Sequence, residues 1–172
     1  MSFKNYISLL CLAIIGSVWF LEKQIILEPE RNNINTAKAP SLKLYYYLEK
    51  HSEKYGVPFQ IAYGIAHEET GYQGPFHWSY NPKLTSSANA YGAMQIQVPT
   101  ANHFADERVT SKDLLENLDL NVELSMRIIS YLKKKYGTWE LALGAYNTGK
   151  PCTNQYARSI AARLDERKIS PN

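Results

Sequence analysis

The chain has 172 residues and a mass of 19.6 kDa, enough for one compact domain with its own core but not comfortably for two. With 45% apolar and 20% charged residues it has a globular composition, which excludes a disordered or collagen-like chain. A net charge of +3, from 19 basic and 16 acidic side chains, is too balanced to indicate nucleic acid, and no such partner is expected.

The uncharged, apolar run Asn5–Leu21 lies near the short end of the roughly 20 residues that span a bilayer. Lys4 precedes it, and Glu22 and Lys23 cancel after it. The positive-inside bias therefore points the N-terminus to the cytoplasm and the remainder outward. A cleaved leader is the rival reading, but Ile15 and Trp19 crowd the small residues where cleavage would fall. The expected organisation is one N-terminal transmembrane helix acting as a signal anchor (1–21), a polar tether (22–39) and a single domain (40–172). Cys11 and Cys152 are placed too differently to suggest a bridge, and His51, His67, His77 and His103 lack ligand spacing. No metal and no cofactor is assigned.

The domain reads as a string of helices. Ser41 is suited to cap a helix running to Tyr55, with Leu42, Leu44, Tyr45, Leu48 and His51 as its apolar stripe, and Gly56 ends it. Pro58 suits the first turn of a second helix, Phe59 to Glu69. Gly71 to Asn89 is rich in Gly, Pro, Ser, Asn and aromatics, and reads as a long loop or a small irregular sheet; such a loop usually serves function. Within it Phe76, Trp78 and Tyr80 admit two readings, a core that anchors the loop or a platform for sugars. Further helices are expected from Pro99 to Ala105, from a Ser111 cap, from Leu118 to Tyr136, from Trp139 to Tyr146, and from Asn154 to Arg167. Alternating strand patterns are scarce, so the fold class is mainly α with at most a small irregular β region.

Glu69 differs from its neighbour Glu68. On a helical projection Glu69 lies about 35° from the mean direction of the apolar residues of the second helix, and Glu68 about 135° away. Glu69 thus closes the buried stripe where the helix meets the aromatic loop. A carboxyl half-buried there has its charged form disfavoured, which raises its pKa toward the range of a general acid. The plain alternative is a solvated Glu at a frayed helix end.

Three ordered segments carry a resemblance. His67-Glu68-Glu69-Thr70-Gly71-Tyr72, Ala90-Tyr91-Gly92-Ala93-Met94-Gln95-Ile96 and Ala145-Tyr146-Asn147-Thr148-Gly149 resemble the motifs of soluble-lytic-transglycosylase-type domains, in the goose-type lysozyme branch of the lysozyme-like fold. The resemblance spans roughly Ser41 to Lys168. It implies Glu69 as the catalytic acid and Thr70, Gly92, Met94, Gln95, Tyr146, Asn147 and Tyr156 as substrate-binding residues. Three departures are visible: Thr70 replaces the family's Ser, Ala93 replaces its Leu, and the proline that follows the Gln-Ile pair comes one position late, as Pro99. On residue type alone, Met94 and Ile96 also suit a core, Gly92 a turn, and Tyr146 and Asn147 the packing and capping of a helix end.

Glycosidases generally need a second carboxylate, as nucleophile or as base for water. Between Thr70 and Ala105 the sequence has no Asp or Glu; Asp106, Glu107 and Asp113 follow without a motif. One acid suffices if the substrate supplies its own nucleophile. The resemblance implies this chemistry: cleavage between N-acetylmuramic acid and N-acetylglucosamine of peptidoglycan with closure of a 1,6-anhydro ring. The expected partners are glycan strands, the bacterial inner membrane (or a virion membrane), and a secretion, conjugation or virion assembly. The expected location is the periplasmic, cell-wall side. A water-using goose-type muramidase and a non-catalytic wall-binding scaffold are the rivals.

Overall fold

The computed structural model describes residues 39–164. In chain order these form α1 (Pro40–Tyr55), α2 (Phe59–Thr70), a hairpin of β1 (Ala90–Tyr91) and β2 (Ile96–Gln97), α3 (Val98–Phe104), α4 (Ser111–Glu116), α5 (Leu118–Tyr136), α6 (Trp139–Thr148) and α7 (Gln155–Ala162). The domain is mainly helical with one small antiparallel sheet, in which Ala90 faces Gln97 and Tyr91 faces Ile96. Among the described residues no helix is long and apolar enough to cross a membrane. The anchor expected at 1–21, nearly all of the tether and residues 165–167 of the expected last helix lie outside them; within them that helix ends at Ala162, short of the expected Arg167, and 163–164 form a turn.

The longest helix, α5, is the axis of the core. Val122, Leu124, Met126, Ile128 and Ile129 are buried on it, against α1 on one side and α6 on another. Its limits are those the sequence predicts, because both are fixed locally. Asn117 caps the start by accepting the Leu120 N–H at 3.1 Å, and Gly137 ends the helix.

Two predicted caps are corrected. Ser41 lies inside α1, which starts at Pro40 after Ala39, and its buried hydroxyl donates to the Pro75 carbonyl at 2.9 Å. A contact across that much chain outcompeted the local one. Thr110, not Ser111, caps α4. Its hydroxyl accepts the Asp113 N–H at 3.3 Å while the Asp113 carboxylate accepts the Thr110 N–H at 2.8 Å, a reciprocal capping box. Smaller shifts occur at helix ends: α2 reaches Thr70, α3 spans Val98–Phe104, and α6 continues to Thr148. Residues 71–89 form an irregular loop, tied to the hairpin by a β-bridge from Thr85 to Tyr91 and by hydrogen bonds such as that from the Gly92 N–H to the Leu84 carbonyl at 2.9 Å.

Charged side chains clasp α1 to α5. Asp119 accepts hydrogen bonds from Lys50 at 3.0 Å and from His51, which is buried. Glu123 accepts from Lys54 at 2.8 Å and from the Tyr55 hydroxyl at 2.7 Å. Burial opposes the Glu123 charge, but the bonds from Lys54 and Tyr55 together outweigh it and hold the carboxyl down at about 2. Arg127 donates to the Tyr55 hydroxyl at 2.8 Å and to Asp106 at 2.9 Å, which extends the clasp to the segment after α3.

Two glycines permit close approach of α7 and its leading loop. A Cβ at Gly64 of α2 would lie 2.6 Å from Ile160 Cγ2 on α7, and one at Gly144 of α6 would lie 1.8 Å from the Cys152 carbonyl oxygen. Glycine inside a helix costs about 1 kcal/mol relative to alanine, so its use here is explained by the backbone contact it allows. Gly144→Ala is expected to destabilise the domain by about 3 kcal/mol, because backbone rather than a movable side chain blocks the added methyl. A thermal unfolding scan beside the parent protein measures this, and an unchanged midpoint would contradict the packing described.

Candidate active site

Glu69 occupies the last turn of α2, which stops at Gly71. Its side chain is half-buried, whereas that of Glu68 is exposed and accepts a bond from Ser159 at 3.0 Å. The one-residue difference in helical phase therefore separates two adjacent acids into different environments. The Tyr156 hydroxyl, reaching over from α7, donates to Glu69 Oε1 at 2.8 Å. Burial raises the Glu69 pKa, the Tyr156 bond lowers it, and the charge of Glu68 raises it again; the net direction is up. The C-terminal end of a helix is electrically negative and disfavours an anion in the same sense.

Tyr146, on α6, is close enough to Glu69 to feel its charge. Burial foremost, and then the negative charge of Glu69, raise its hydroxyl above the ordinary tyrosine range. That hydroxyl donates to the Met94 carbonyl at 2.8 Å and pairs with Ser125 of α5 at 2.9 Å. Asn147, the next residue, is exposed, and its side-chain Oδ1 accepts from the Asn154 side-chain amide at 2.9 Å. Asn154 in turn caps α7, the helix that carries Tyr156, by accepting the Ala157 N–H at 2.9 Å.

The turn between β1 and β2 holds Gly92, Ala93, Met94 and Gln95. Gly92 has φ of +82°, and an added Cβ would lie 2.4 Å from Asn121 Nδ2 and 2.5 Å from the Leu114 carbonyl oxygen. Only glycine meets both demands. Gln95 also has positive φ, +48°, and its side-chain amide donates to the carbonyls of Gly92 at 2.8 Å and Leu84 at 3.1 Å. Met94 is fully buried, so its side chain belongs to the core, while its backbone holds Tyr146. Ile96 is likewise buried.

Thr70 connects this turn to the acid. Burial keeps the Tyr80 hydroxyl up at about 12 and thus protonated, and it pairs with Thr70 Oγ1 at 2.8 Å. The Thr70 hydroxyl donates toward the carbonyls of Ala66 and Ala93, each at 3.0 Å. Its hydrogen-bonding capacity is taken up within the protein, joining the residue after Glu69 to the middle of the turn. The structure brings Glu69, Tyr146 and Tyr156 into one cluster, sets Thr70 and the Gly92–Gln95 turn behind it, and leaves Asn147 at its α7 edge.

The residues that sequence reading passed over are Asn121 and Ser125. Both are fully buried on α5, one turn apart. Asn121 accepts the Met94 N–H at 2.9 Å and donates to the Tyr91 carbonyl at 2.9 Å. Two polar residues at i and i+4 within an apolar helical face were the available signal. Asp106 and Asp113, the candidate second carboxylates, are engaged elsewhere. Hydrogen bonding to Arg127 first, and its charge second, hold Asp106 below the usual range, and bonds from Thr110 do the same for Asp113. Among the described residues no three His, Cys, Asp or Glu side chains gather in a way that would hold a metal ion.

Fold and site define a small helical domain built around one half-buried carboxylic acid. The transglycosylase SLT domain profile matches residues 46–169, and the chain belongs to that family. Among solved structures it is similar in fold to an inactive mutant of the lytic transglycosylase Slt from Pseudomonas aeruginosa, with a TM-score of 0.56 and 17% identity over 74% of this chain and 24% of that one. It is also similar to the 70 kDa soluble lytic transglycosylase SLT70 from Escherichia coli, with a TM-score of 0.52 and 23% identity over 68% of this chain and 18% of that one. A complex of the 70-kDa soluble lytic transglycosylase with bulgecin A matches with a TM-score of 0.50 and 21% identity, over 70% of this chain and 18% of that one. The chain therefore spans a quarter or less of the solved proteins it matches. A search of curated proteins gives no significant match.

Asn121→Ala is expected to cost about 3 kcal/mol, since it leaves the buried Met94 N–H and Tyr91 carbonyl without their partner. Urea unfolding measures this, and a loss within about 0.5 kcal/mol would show that the turn does not depend on α5.

Proposed function

We propose that this chain is a peptidoglycan lytic transglycosylase that cleaves the bond between N-acetylmuramic acid and N-acetylglucosamine, with Glu69 as its single general acid and base. The observation that carries the proposal is the half-buried Glu69 carboxyl, raised in pKa and hydrogen-bonded to Tyr156, in a domain of the transglycosylase SLT family. In the first step the protonated Glu69 gives its proton to the glycosidic oxygen as the bond from that oxygen to the muramyl C1 breaks. In the second the Glu69 carboxylate takes the proton of the muramyl C6 hydroxyl, whose oxygen bonds to C1 and closes the 1,6-anhydro ring. Glu69 ends protonated, as it began, and no water is consumed.

Tyr156 holds the carboxyl in place, Tyr146 braces the turn beside it through the Met94 carbonyl, and Thr70, Gly92, Met94, Gln95 and Asn147 form and support the wall that receives the glycan strand. The engagement of Asp106 with Arg127 and of Asp113 with Thr110 favours a single-acid reaction over a hydrolase that borrows either carboxylate. The proposal includes residues 1–21 as an inner-membrane anchor and 22–39 as a tether. The domain from residue 40 would then lie on the periplasmic side, opening the wall locally for a secretion, conjugation or virion assembly.

Mass spectrometry of muropeptides released from purified peptidoglycan tests the reaction. Anhydro products, each lighter by one water than hydrolytic ones, are expected. Glu69→Gln is expected to lower their release at least about 100-fold, the low end of what a general acid contributes. Asp106→Asn should leave release within about threefold. Reducing-end products would instead identify a muramidase, and no release a scaffold.

The pH profile supplies a second test. Glu69 must start protonated, so activity falls as pH rises through its raised pKa. Tyr156→Phe removes the donor that favours the charged form, and the falling limb should move to higher pH. A limb that stays or moves lower would remove Glu69 from the acid role.

A further inference from the structure

Two aromatic side chains stand out of the loop after α2 with no use in the site described above. Phe76 is 75% exposed and Trp78 is 68% exposed, and their rings lie 5.9 Å apart, tilted by 58°. Single exposed apolar residues are ordinary, but an adjacent pair of large rings keeps a substantial apolar surface in water.

The loop that presents them is fixed at both ends. At its start the fully buried Tyr72 donates its hydroxyl to the Ser41 carbonyl at 2.8 Å, and the His67 ring donates to the Tyr72 carbonyl at 2.9 Å. In its middle Ser41 binds the Pro75 carbonyl, and the Trp78 and Tyr80 N–H groups close short turns onto Phe76 and His77. At its end the buried Tyr80 binds Thr70, the residue after Glu69, which also binds Ala93 of the turn. Trp78 lies two residues from Tyr80, so their Cα atoms are at most about 7 Å apart. The rings are thus held out rigidly, by the same residues that tie Glu69 to the Gly92–Gln95 turn.

The chemistry of the loop narrows what can lie on them. From Thr70 to Pro82 there is no Asp, Glu, Lys or Arg. Attachment to a bilayer surface draws on clusters of Lys and Arg beside the aromatics, and here the stretch carrying the rings has none, with Lys83 alone following it. A pyranose ring offers an apolar C–H face together with hydroxyls that stay in water, and an exposed, preordered aromatic face without charge matches it.

We infer that Phe76 and Trp78 form a sugar-stacking platform that holds the glycan strand beyond the residues at the bond being cut, and so set the affinity for long strands. The inference rests on the lytic transglycosylase reading for the identity of the glycan. Because the platform touches sugars away from the reacting atoms, it supplies binding common to ground state and transition state, which appears in KM.

The test uses the full chain in detergent with soluble, uncross-linked glycan strands. Steady-state cleavage is measured for the parent, Phe76→Ala/Trp78→Ala and Trp78→Tyr, and strand binding by the same pair of alanines in a Glu69→Gln background. The double variant should raise KM about 10- to 30-fold, the usual effect of truncating a binding aromatic, with kcat within about threefold and an unchanged unfolding midpoint. Binding in the Glu69→Gln background should weaken by a similar factor, and Trp78→Tyr, which keeps a ring, should recover most of the loss. Cleavage with unaltered KM and binding would overturn the platform and leave the enzymatic reading intact. A parent that binds strands without cutting them, and loses binding in the double variant, would support the platform and overturn the reaction. A lowered unfolding midpoint with kcat falling as much as KM rises would make the pair structural and overturn the platform. A parent that neither binds nor cuts would overturn both.

Discussion

One constraint organises the domain: a carboxyl group is kept partly out of water at the end of α2 with a neutral donor as its partner. Burial works against its charge, and the Tyr156 hydroxyl works for it. The groups that shift its proton affinity are Tyr156 and Glu68, and neither is a cation. A lysine or arginine in the place of Tyr156 would have pinned the group as an anion. The neutral phenol instead orients the carboxyl while leaving burial the larger influence. The close contact at Gly64 and Ile160 makes this possible, because it brings α7 near enough to α2 for Tyr156 to reach across.

The remaining walls are referred to α5 through buried polar groups. Asn121 holds the turn through Met94 and Tyr91, Ser125 holds Tyr146, and Tyr146 returns to the Met94 carbonyl. Each bond joins elements distant in sequence, and each is wholly or partly buried. A buried polar network that is satisfied in this way is rigid, since every alternative arrangement strands a donor or an acceptor. Thr70 closes the circuit by joining the acid's own helix to Ala93. The threonine in place of serine keeps that hydroxyl, and the hydroxyl is what the structure uses.

What could be read in the sequence was what local chemistry decides. The limits of α5 follow from Asn117 and Gly137, and the separate fates of Glu68 and Glu69 follow from helical phase. What escaped reading depends on partners far along the chain. Ser41 has the composition of a cap, yet its hydroxyl goes to Pro75. Thr110 is the exception, since its capping box with Asp113 spans only three residues and the Thr-x-x-Asp spacing was there to be read. Met94 entered the site by resemblance and the core by residue type; its side chain is in the core and its carbonyl in the site. The aromatic trio divides, with Tyr80 in the core and Phe76 and Trp78 at the surface, a split that residue type alone does not reveal.

The environment of Glu69 also bears on why one acid would serve for both proton transfers. A group that donates must still hold its proton at the working pH, and one that accepts must already have lost it. A group asked to do both in succession needs an affinity between those limits, close to the working pH. Burial alone would carry the carboxyl toward the permanently protonated side, and full solvation would leave it ionised before the first step. Partial burial offset by one neutral hydrogen bond is a balance between the two. Asp106 and Asp113 lie on the other side of that balance, held ionised by Arg127 and Thr110, with their capacity as bases reduced accordingly. Of the three carboxyls only Glu69 is shifted toward keeping its proton, which is what the proposed single-acid reaction asks of it.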